Sequence, residues 1–305
     1  MKKMLITGVN GFIGAAAKEY FTKKYDVYGI DIVGKDDEKQ FILDMRSDEL
    51  KKVLLNISPD IIIHAAGGAN VSKSIEDPKL DFDNSVQVFY NLLDSMRVTK
   101  TIGRLIFLSS AAVYGNAKKL PISEKADLNP ISPYGLHKKI CEEIGEYYNN
   151  YYGIDISILR IFSVYGPGLR KQIMWDMFQK FIDKGKIELF GTGEETRDYI
   201  YIADLLRSIE YIINNDEKNG IYNIANGQAV TIREVAEIFS ELMCGEIRVL
   251  FNKSVRKGDP QYWCADISKI KKMGYSQETK LYDGIKKYIS WAKMEYSKIY
   301  GSERQ

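Results

Sequence analysis

The sequence TGVNGFIG, residues 7–14, decides the fold. It follows the apolar run MLI at 4–6 and leads into three alanines, which are good helix formers. A short buried strand, a glycine turn and the start of a helix are therefore predicted in that order. Gly8 would permit the tight turn, Gly11 would let a pyrophosphate approach the backbone, and Gly14 would let the helix pack closely on the strand. Free N–H groups and the positive end of the helix dipole would then bind phosphates.

An acidic residue supports this dinucleotide site. The apolar run VYGI at 27–30 follows one helix length later and ends in Asp31. A carboxylate at this place accepts both ribose hydroxyls of NAD and repels the 2′-phosphate of NADP. The alternative is an ordinary strand–loop–helix with incidental glycines.

Apolar runs typical of buried strands recur along the first half of the chain, with helical stretches between them. They lie at 4–6, 27–30, 41–43, 61–63, 105–108 and 156–161. This alternation predicts an α/β fold, a Rossmann-type doubly wound parallel sheet with helices on both faces. Ligands bind such sheets beyond the carboxyl ends of the strands, where chemistry is therefore expected.

The pattern changes after residue 165, where a turn at 165–168 is followed by a predicted helix at 173–183 and a short strand at 187–190. The run IYNI at 221–224 could rejoin the first sheet. We therefore predict a dinucleotide-binding domain over 1–165, with a return of about 198–226, and a smaller C-terminal α/β substrate domain that makes up most of 166–305.

Helices are predicted over 81–98 and 133–151, and Thr231 with Glu234 resembles a capping box that opens a third. The first two carry more apolar and aromatic surface than one sheet needs. A helix pair at a homodimer interface is one interpretation, and simple core packing is the other.

Composition limits the class of protein and its partners. With 305 residues, 45% of them hydrophobic and 28% charged, the chain is typical of soluble globular proteins. A net charge of +2 without a long basic run gives no reason to expect nucleic acid. Three dispersed cysteines and two histidines favour a reducing, cytoplasmic compartment and no metal centre. No apolar run approaches the length that spans a membrane, so no membrane partner is expected.

Tyr134 and Lys138 lie four residues apart in SPYGLHK, residues 132–138. Ser132 and Pro133 form a good N-cap and first-turn pair, so both side chains should share one helix face. A neighbouring ammonium group favours the phenolate form of a tyrosine, which suits a general base. The alternative is a tyrosine and a lysine on a solvated helix face.

Ser110 follows the predicted strand 105–108 in FLSSAAVYG. Its hydroxyl could bind the substrate oxygen that Tyr134 deprotonates and stabilise the developing charge. Ser109 competes for this role, and two serines in a strand-end turn also serve as backbone caps.

These motifs resemble the extended short-chain dehydrogenase/reductase superfamily, and within it the nucleotide-sugar epimerase/dehydratase branch. The resemblance covers nearly the whole chain and rests on TGVNGFIG, Asp31, HAAG (64–67), SSAAVYG (109–115), SPYGLHK (132–138), LRIFSVYGPG (159–168), RDYIYIAD (197–204) and VRKGDP (255–260). It implies a catalytic serine at Ser110 and a Tyr-x-x-x-Lys motif at Tyr134 and Lys138.

The resemblance also implies the two binding sites. The predicted NAD-binding residues are Gly8, Asn10, Gly11, Phe12, Ile13, Gly14, Asp31, Ile32, Asp44, Met45, Ala65, Ala66, Gly67, Tyr134 and Lys138. The predicted residues for a nucleotide-diphosphate sugar are Ser110, Ser163, Gln172, Arg197, Tyr199, Arg256 and Asp259. Planar guanidinium groups suit phosphate oxygens, which favours the two arginines for the diphosphate.

Two departures from the pattern bear on the reaction. The 4,6-dehydratases of this branch carry an Asp-Glu pair directly after the catalytic hydroxyl residue, and those carboxylates move the proton and the hydroxyl during water elimination. Here the pair is Ala111 and Ala112, which argues against a dehydratase and against the related decarboxylases. Ser163 stands where many relatives carry Asn, which has a longer reach and one more donor.

The sequence therefore predicts an NAD-dependent nucleotide-sugar 4-epimerase, with a UDP-hexose as substrate. The alternative from the same site is an NAD(P)H-dependent nucleotide-4-keto-6-deoxysugar reductase. A non-catalytic dinucleotide-sensing or scaffold protein on the same fold is the third interpretation, because fold alone does not prove activity.

Overall fold

The computed structural model describes residues 1–215, 219–243, 248–254 and 258–300. The strands in chain order are β1 Lys3–Thr7, β2 Asp26–Asp31, β3 Gln40–Ile42, β4 Ile61–His64, β5 Arg104–Ser110, β6 Ile156–Ile161, β7 Ser163–Tyr165, β8 Lys186–Leu189, β9 Thr196–Arg197, β10 Tyr199–Tyr201, β11 Ile221–Ile224, β12 Val230–Thr231 and β13 Arg248–Phe251. The helices are α1 Phe12–Phe21, α2 Glu49–Ile57, α3 Val71–Glu76, α4 Pro78–Phe82, α5 Val88–Thr99, α6 Pro133–Tyr152, α7 Gln172–Lys184, α8 Ile202–Ile213, α9 Ile232–Leu242, α10 Ser268–Lys272 and α11 Leu281–Tyr300.

Seven strands form one parallel sheet in the order β11-β6-β5-β4-β1-β2-β3. The order reverses between β1 and β4, which is where such sheets bind ligands. All the strand runs predicted in the first half of the chain belong to this sheet, and β11 is its edge strand beside β6. The α/β fold class predicted from the sequence is confirmed.

The sheet separates two hydrophobic cores. In β1, Met4 and Ile6 face one core, whereas Leu5 between them faces the other. Helices α1 and α8 pack on the first face, and α2, α5 and α6 pack on the second. Because both faces are covered, the strands can be apolar without alternation.

Among the described residues, chain segments after residue 162 build three small two-stranded sheets outside the central one. They pair β10 with β7, β12 with β9 and β13 with β8. The capping box of α9 is present, since Thr231 Oγ1 accepts the Glu234 N–H and the Glu234 carboxylate accepts the Thr231 N–H. The helix predicted from these two residues is thereby confirmed.

The stretch predicted to be helical over 81–98 is helical throughout, but it is not one regular α-helix. The structure has α4, then a π-helical turn over Asp83–Gln87, then α5. Polar contacts accompany the turn: Ser85 Oγ accepts the Gly68 N–H, and the Ser85 carbonyl accepts a hydrogen bond from Cys141 Sγ on α6. Wider turns of this kind insert one residue into a helix, which an apolar periodicity does not reveal.

No helix among the described residues is both long and apolar enough to cross a membrane.

Candidate active site

The glycine turn after β1 has the geometry that its sequence predicts. Gly8 has φ +67°, and a Cβ there would lie 2.7 Å from the Ala66 backbone nitrogen. A Cβ on Gly14 would overlap the Gly8 carbonyl oxygen, so α1 can approach the turn only through a glycine. Gly11 is the N-cap of α1 and supplies no side-chain cap, so the first N–H groups of the helix remain for an anion.

Asp31 ends β2 beside this turn. One carboxylate oxygen accepts the Asn10 N–H at 2.8 Å, and the other accepts the Ile32 N–H at 2.7 Å. The second oxygen also accepts the Val33 N–H, at 3.3 Å. A carboxylate has about four acceptor positions, so these three bonds leave capacity for about one ribose hydroxyl. Ile32 and Val33 then present exposed apolar side chains, an unusual feature directly after a strand.

The other residues predicted to bind the cofactor differ in their hydrogen-bond partners. The Ala65 N–H donates to the Thr7 carbonyl, the Ala66 N–H donates to Thr7 Oγ1, and Gly67 follows with φ +129°. Asp44, by contrast, is held by the Arg46 guanidinium, which lowers the pKa of the carboxyl.

Met45 points into the core, where its side chain is buried. Any contact that this residue makes with a cofactor must therefore come from its backbone. Its carbonyl already accepts a hydrogen bond from the Asn91 amide.

The start of α6 packs directly against the end of β5. Ser132 caps α6 by accepting the Gly135 N–H at 3.2 Å, and Pro133 occupies the first turn. A Cβ on Gly135 would lie 2.5 Å from the Ala112 carbonyl oxygen. The first turn of α6, which carries Tyr134, therefore lies against the 3₁₀ turn that follows Ser110.

Lys138 bridges the same two elements. It is 6% exposed, and its Nζ donates to the Leu108 carbonyl of β5 at 3.0 Å. The ammonium also lies 5.0 Å from the centre of the Phe107 ring. Lys138 therefore faces β5, and the partly exposed Tyr134 packs against the first hydrophobic core.

The two serines at the end of β5 have different environments. Ser109 is buried, and its hydroxyl donates to Glu142 Oε1. Ser110 is half-buried, and its Oγ accepts the Ala112 N–H at 3.2 Å. Successive side chains of a strand point to opposite faces of the sheet, so only one of the two serines can face the proposed catalytic site.

The predicted substrate residues lie beyond this turn. The Arg197 guanidinium donates to the Thr196 carbonyl and lies 5.7 Å from the Trp263 ring centre. Trp263 in turn donates its indole N–H to the Gly115 carbonyl. Arg197 is thus linked to the segment that follows Ser110, and Trp263 is a contact that the sequence patterns did not indicate.

The other residues predicted to bind substrate lie on separate elements. Ser163 begins β7 and is half-buried, Gln172 begins α7 and is exposed, and Asp259 is half-buried.

Tyr199 does not line an open surface: it is 5% exposed, its hydroxyl is buried, and burial raises its pKa to about 12. Its large ring packs edge-to-face on Tyr165 instead of projecting toward a nucleotide. Arg256 lies outside the described residues.

Two positions near the site have contacts that the motifs did not predict. Ser74 of α3 is buried, and its Oγ accepts the Tyr134 N–H at 3.1 Å. Glu142 lies eight residues after Tyr134 on α6 and binds Ser109. Glu142 could have been recognised from the sequence, because it is spaced to lie on the same helix face as Tyr134 and Lys138. Nothing in the sequence indicated Ser74.

His64 ends β4 beneath the site. The ring is buried, and its Nδ1 lies 2.8 Å from Thr7 Oγ1. Burial, and to a smaller extent the Lys138 charge, lower the pKa of His64 to about 3. The folded protein therefore holds this imidazole neutral.

Acid should destabilise the protein through His64. Below about pH 6.5 His64 binds a proton in the unfolded chain but not in the folded chain. The free energy of unfolding should therefore fall by about 1.4 kcal/mol for each pH unit until the pH reaches the folded pKa. His64→Asn keeps a polar atom near Thr7 and should remove this slope. Urea unfolding gives the free energy of unfolding of both proteins across this pH range. If the two proteins lose stability equally as the pH falls, His64 is not the group responsible.

The fold and the site together define a dinucleotide-binding α/β protein with a serine, a tyrosine and a lysine at one strand end. The sequence profile described as the NAD dependent epimerase/dehydratase family matches residues 4–225. The chain belongs to this family.

Similar proteins include a putative UDP-glucose 4-epimerase of Methanocaldococcus jannaschii, 32% identical over 95% of this chain and 98% of the relative. Among solved structures, a UDP-glucuronic acid 4-epimerase of Bacillus cereus, in complex with UDP-glucuronic acid and NAD, superposes with a TM-score of 0.87. A UDP-N-acetylglucosamine 4-epimerase of Methanobrevibacter ruminantium, in complex with UDP-N-acetylmuramic acid, has a TM-score of 0.88. Both structures are 26% identical in sequence, and each match covers 96% of this chain and at least 99% of the other.

Proposed function

We propose that this protein is a cytoplasmic, NAD-dependent nucleotide-sugar 4-epimerase that acts on a UDP-hexose. The observation that carries the proposal is the packing of α6, with Tyr134 and Lys138, against the end of β5, with Ser110. The 4-epimerases among its relatives and structural neighbours support the same reaction class.

The residues present fit NAD. Cβ atoms at Gly8 and Gly14 would collide with backbone, so only glycines let the turn and α1 pack this closely, and the uncapped start of α1 offers N–H donors to a pyrophosphate. Asp31 retains acceptor capacity for the adenosine ribose and would repel the extra phosphate of NADP. Bound NAD would supply the hydride acceptor for C4 of the sugar and, once reduced, the hydride donor to the other face of the keto sugar.

The chain's own residues handle the proton. Tyr134 accepts the proton of the sugar 4-hydroxyl while the C4–H bond breaks, and it returns the proton after the keto sugar has turned over. Ser110 donates a hydrogen bond to the same oxygen. The buried Lys138 ammonium donates to the Leu108 carbonyl, and its other donors remain for the cofactor ribose.

The nucleotide must remain anchored while the hexose rotates. We assign this role to Arg197, whose guanidinium is held beside Trp263, and to Arg256. Ser163, Gln172 and Asp259 complete the proposed contacts. Tyr199 contributes from the core, where it supports this wall of the site.

Water elimination does not fit the site. Ala111 and Ala112 form the buried turn directly after Ser110, and neither can carry a proton or a hydroxyl. A 4,6-dehydratase needs carboxylates at this place.

Incubation with UDP-glucose and no added cofactor tests the proposal. An epimerase returns the hydride within each cycle, so UDP-galactose should form at catalytic turnover with the NAD that co-purifies or with a trace of added NAD. UDP-glucuronate and UDP-N-acetylglucosamine in parallel reactions identify the preferred sugar. Product formation only with a 4-keto sugar and stoichiometric reduced cofactor would instead establish the reductase.

We also propose that the protein is a homodimer joined through α5 and α6. Four tyrosines on these helices are about half exposed or more, and the rings of Tyr147 and Tyr151 stack at 4.3 Å; the four are Tyr90, Tyr147, Tyr151 and Tyr152. Exposed aromatic clusters of this kind favour protein interfaces. Tyr151→Glu should give a monomer in sedimentation velocity, while Tyr282→Glu on α11 should leave a dimer. A monomeric wild type would contradict the proposal.

A further inference from the structure

A buried carboxylate connects the two elements that carry the proposed catalytic groups. Glu142 on α6 is 2% exposed, and it accepts the Ser109 hydroxyl of β5 at 2.5 Å. Ser109 directly precedes Ser110, and Glu142 lies one helical turn beyond Lys138. The hydrogen bond therefore joins β5 to α6 behind the proposed catalytic groups.

Arg160 of β6 fixes the position of this carboxylate. Its guanidinium is 3% exposed and binds Glu142 through two nitrogens, with Nη2 at 2.7 Å and Nε at 3.1 Å. Its remaining Nη1 donates to the Tyr114 hydroxyl and to the Glu124 carbonyl. A bidentate pair held in this way fixes direction as well as distance.

The bond is placed to control the geometry at the proposed site. Ser110 and Tyr134 must reach one substrate oxygen from different elements, Ser110 from β5 and Tyr134 from α6. Lys138 provides one hydrogen bond between these elements, at Leu108, and Ser109 provides the second, one residue nearer to the strand end and one helical turn further along α6. Because these two hydrogen bonds attach at different positions along α6 and β5, they prevent the helix from rotating against the strand.

Resting on the proposed function, we propose that Ser109 and Glu142 are positioning residues. The hydrogen bond between them sets the end of β5 against α6 so that Ser110 and Tyr134 bind the same oxygen of the sugar. Neither residue touches the substrate. Catalysis is sensitive to such placement, because a displacement of about 1 Å can cost about a hundredfold in rate.

Ser109→Ala tests this role, because it removes the hydroxyl and leaves the ion pair of Glu142 with Arg160 in place. We expect kcat for the interconversion of the UDP-hexose to fall by about 10- to 100-fold, with KM within about 2-fold of the wild type. Ser208→Ala is the matched control, since Ser208 is also fully buried and donates to a carbonyl within α8. It should leave kcat within about 2-fold.

A double-mutant cycle separates positioning from a general loss of structure. If Ser109 acts by aligning Ser110, adding Ser109→Ala to a Ser110→Ala enzyme should reduce kcat by less than about 2-fold. The inference is overturned if Ser109→Ala lowers kcat by the same factor in the wild type and in Ser110→Ala, or if the kcat of Ser109→Ala equals that of Ser208→Ala. Either result leaves the proposed function intact. A wild-type protein that epimerises no UDP-hexose would overturn the proposed function, and the inference with it.

Discussion

Tyr134→Phe is expected to lower kcat for epimerisation by about 10²- to 10⁴-fold, the contribution usual for a positioned general acid–base. In the proposed mechanism the phenol oxygen is the atom that accepts and returns the proton. Ser110 can donate a hydrogen bond but is far too weak a base. Initial rates with the preferred UDP-hexose measure the loss.

The same variant should keep its fold and its affinity for NAD. The contacts that place residue 134 are made by its backbone, through Ser74 Oγ, and by the Ser132 cap, so a phenylalanine retains them. Tyr147→Phe is the matched control, because Tyr147 lies on the same helix with an exposed ring. Near-normal turnover by Tyr134→Phe would refute the assignment of the base, whereas lost turnover in both variants would show that the helix is the sensitive element.

Elements defined by hydrophobic runs could be predicted from the sequence, because burial on both faces of a parallel sheet requires apolar residues at every position. The runs at 4–6, 27–30 and 61–63 are examples, and each is a strand of the central sheet. The glycine turn was equally visible, since Gly8 and Gly14 lie where a Cβ would meet backbone.

Features set by tertiary polar contacts could not be predicted in this way. Asp81 is buried because it binds His137 Nδ1 at 2.6 Å, and the π-helical turn that follows it depends on partners far along the chain. Tyr199 was expected beside the nucleotide, but its ring is part of the core. Local sequence gives the chemical type of a residue, whereas its direction depends on neighbours that the fold brings together.

Ser109 and Ser110 show the same limit within the site itself. Both are serines, and only the strand register buries Ser109 and leaves Ser110 partly exposed. Glu142 could have been recognised, because residues four and eight positions after Tyr134 share a helix face with it. A carboxylate on the inward face of a helix indicates a buried partner.

The buried pair of Glu142 and Arg160 should also dominate the stability of the central fold. Glu142→Ala leaves the Arg160 guanidinium without its carboxylate in a site that is 3% exposed. Breaking a buried pair on one side costs about 3–5 kcal/mol in the free energy of unfolding. Because a whole domain is stable by only about 5–15 kcal/mol, urea unfolding at a fixed NAD concentration should show a large shift of the midpoint.

An exposed ion pair provides the control. Glu49 and Lys52 lie on the surface of α2 at 2.7 Å, and Glu49→Ala should change the free energy of unfolding by less than about 1 kcal/mol. The contrast follows from solvent: water replaces the lost partner of Lys52 but cannot reach Arg160.

The double variant Glu142→Met with Arg160→Met distinguishes the ion pair from the space it fills. Removing both charges eliminates the unpaired guanidinium, so this protein should be more stable than Glu142→Ala even though the Tyr114 hydroxyl and Ser109 lose partners. If instead the double variant is the less stable, the hydrogen bonds to Ser109, Tyr114 and the Glu124 carbonyl contribute more than the uncompensated charge costs. The stability of the fold and the alignment of Ser110 with Tyr134 would then depend on one hydrogen-bond network, and no substitution in it could change one without the other.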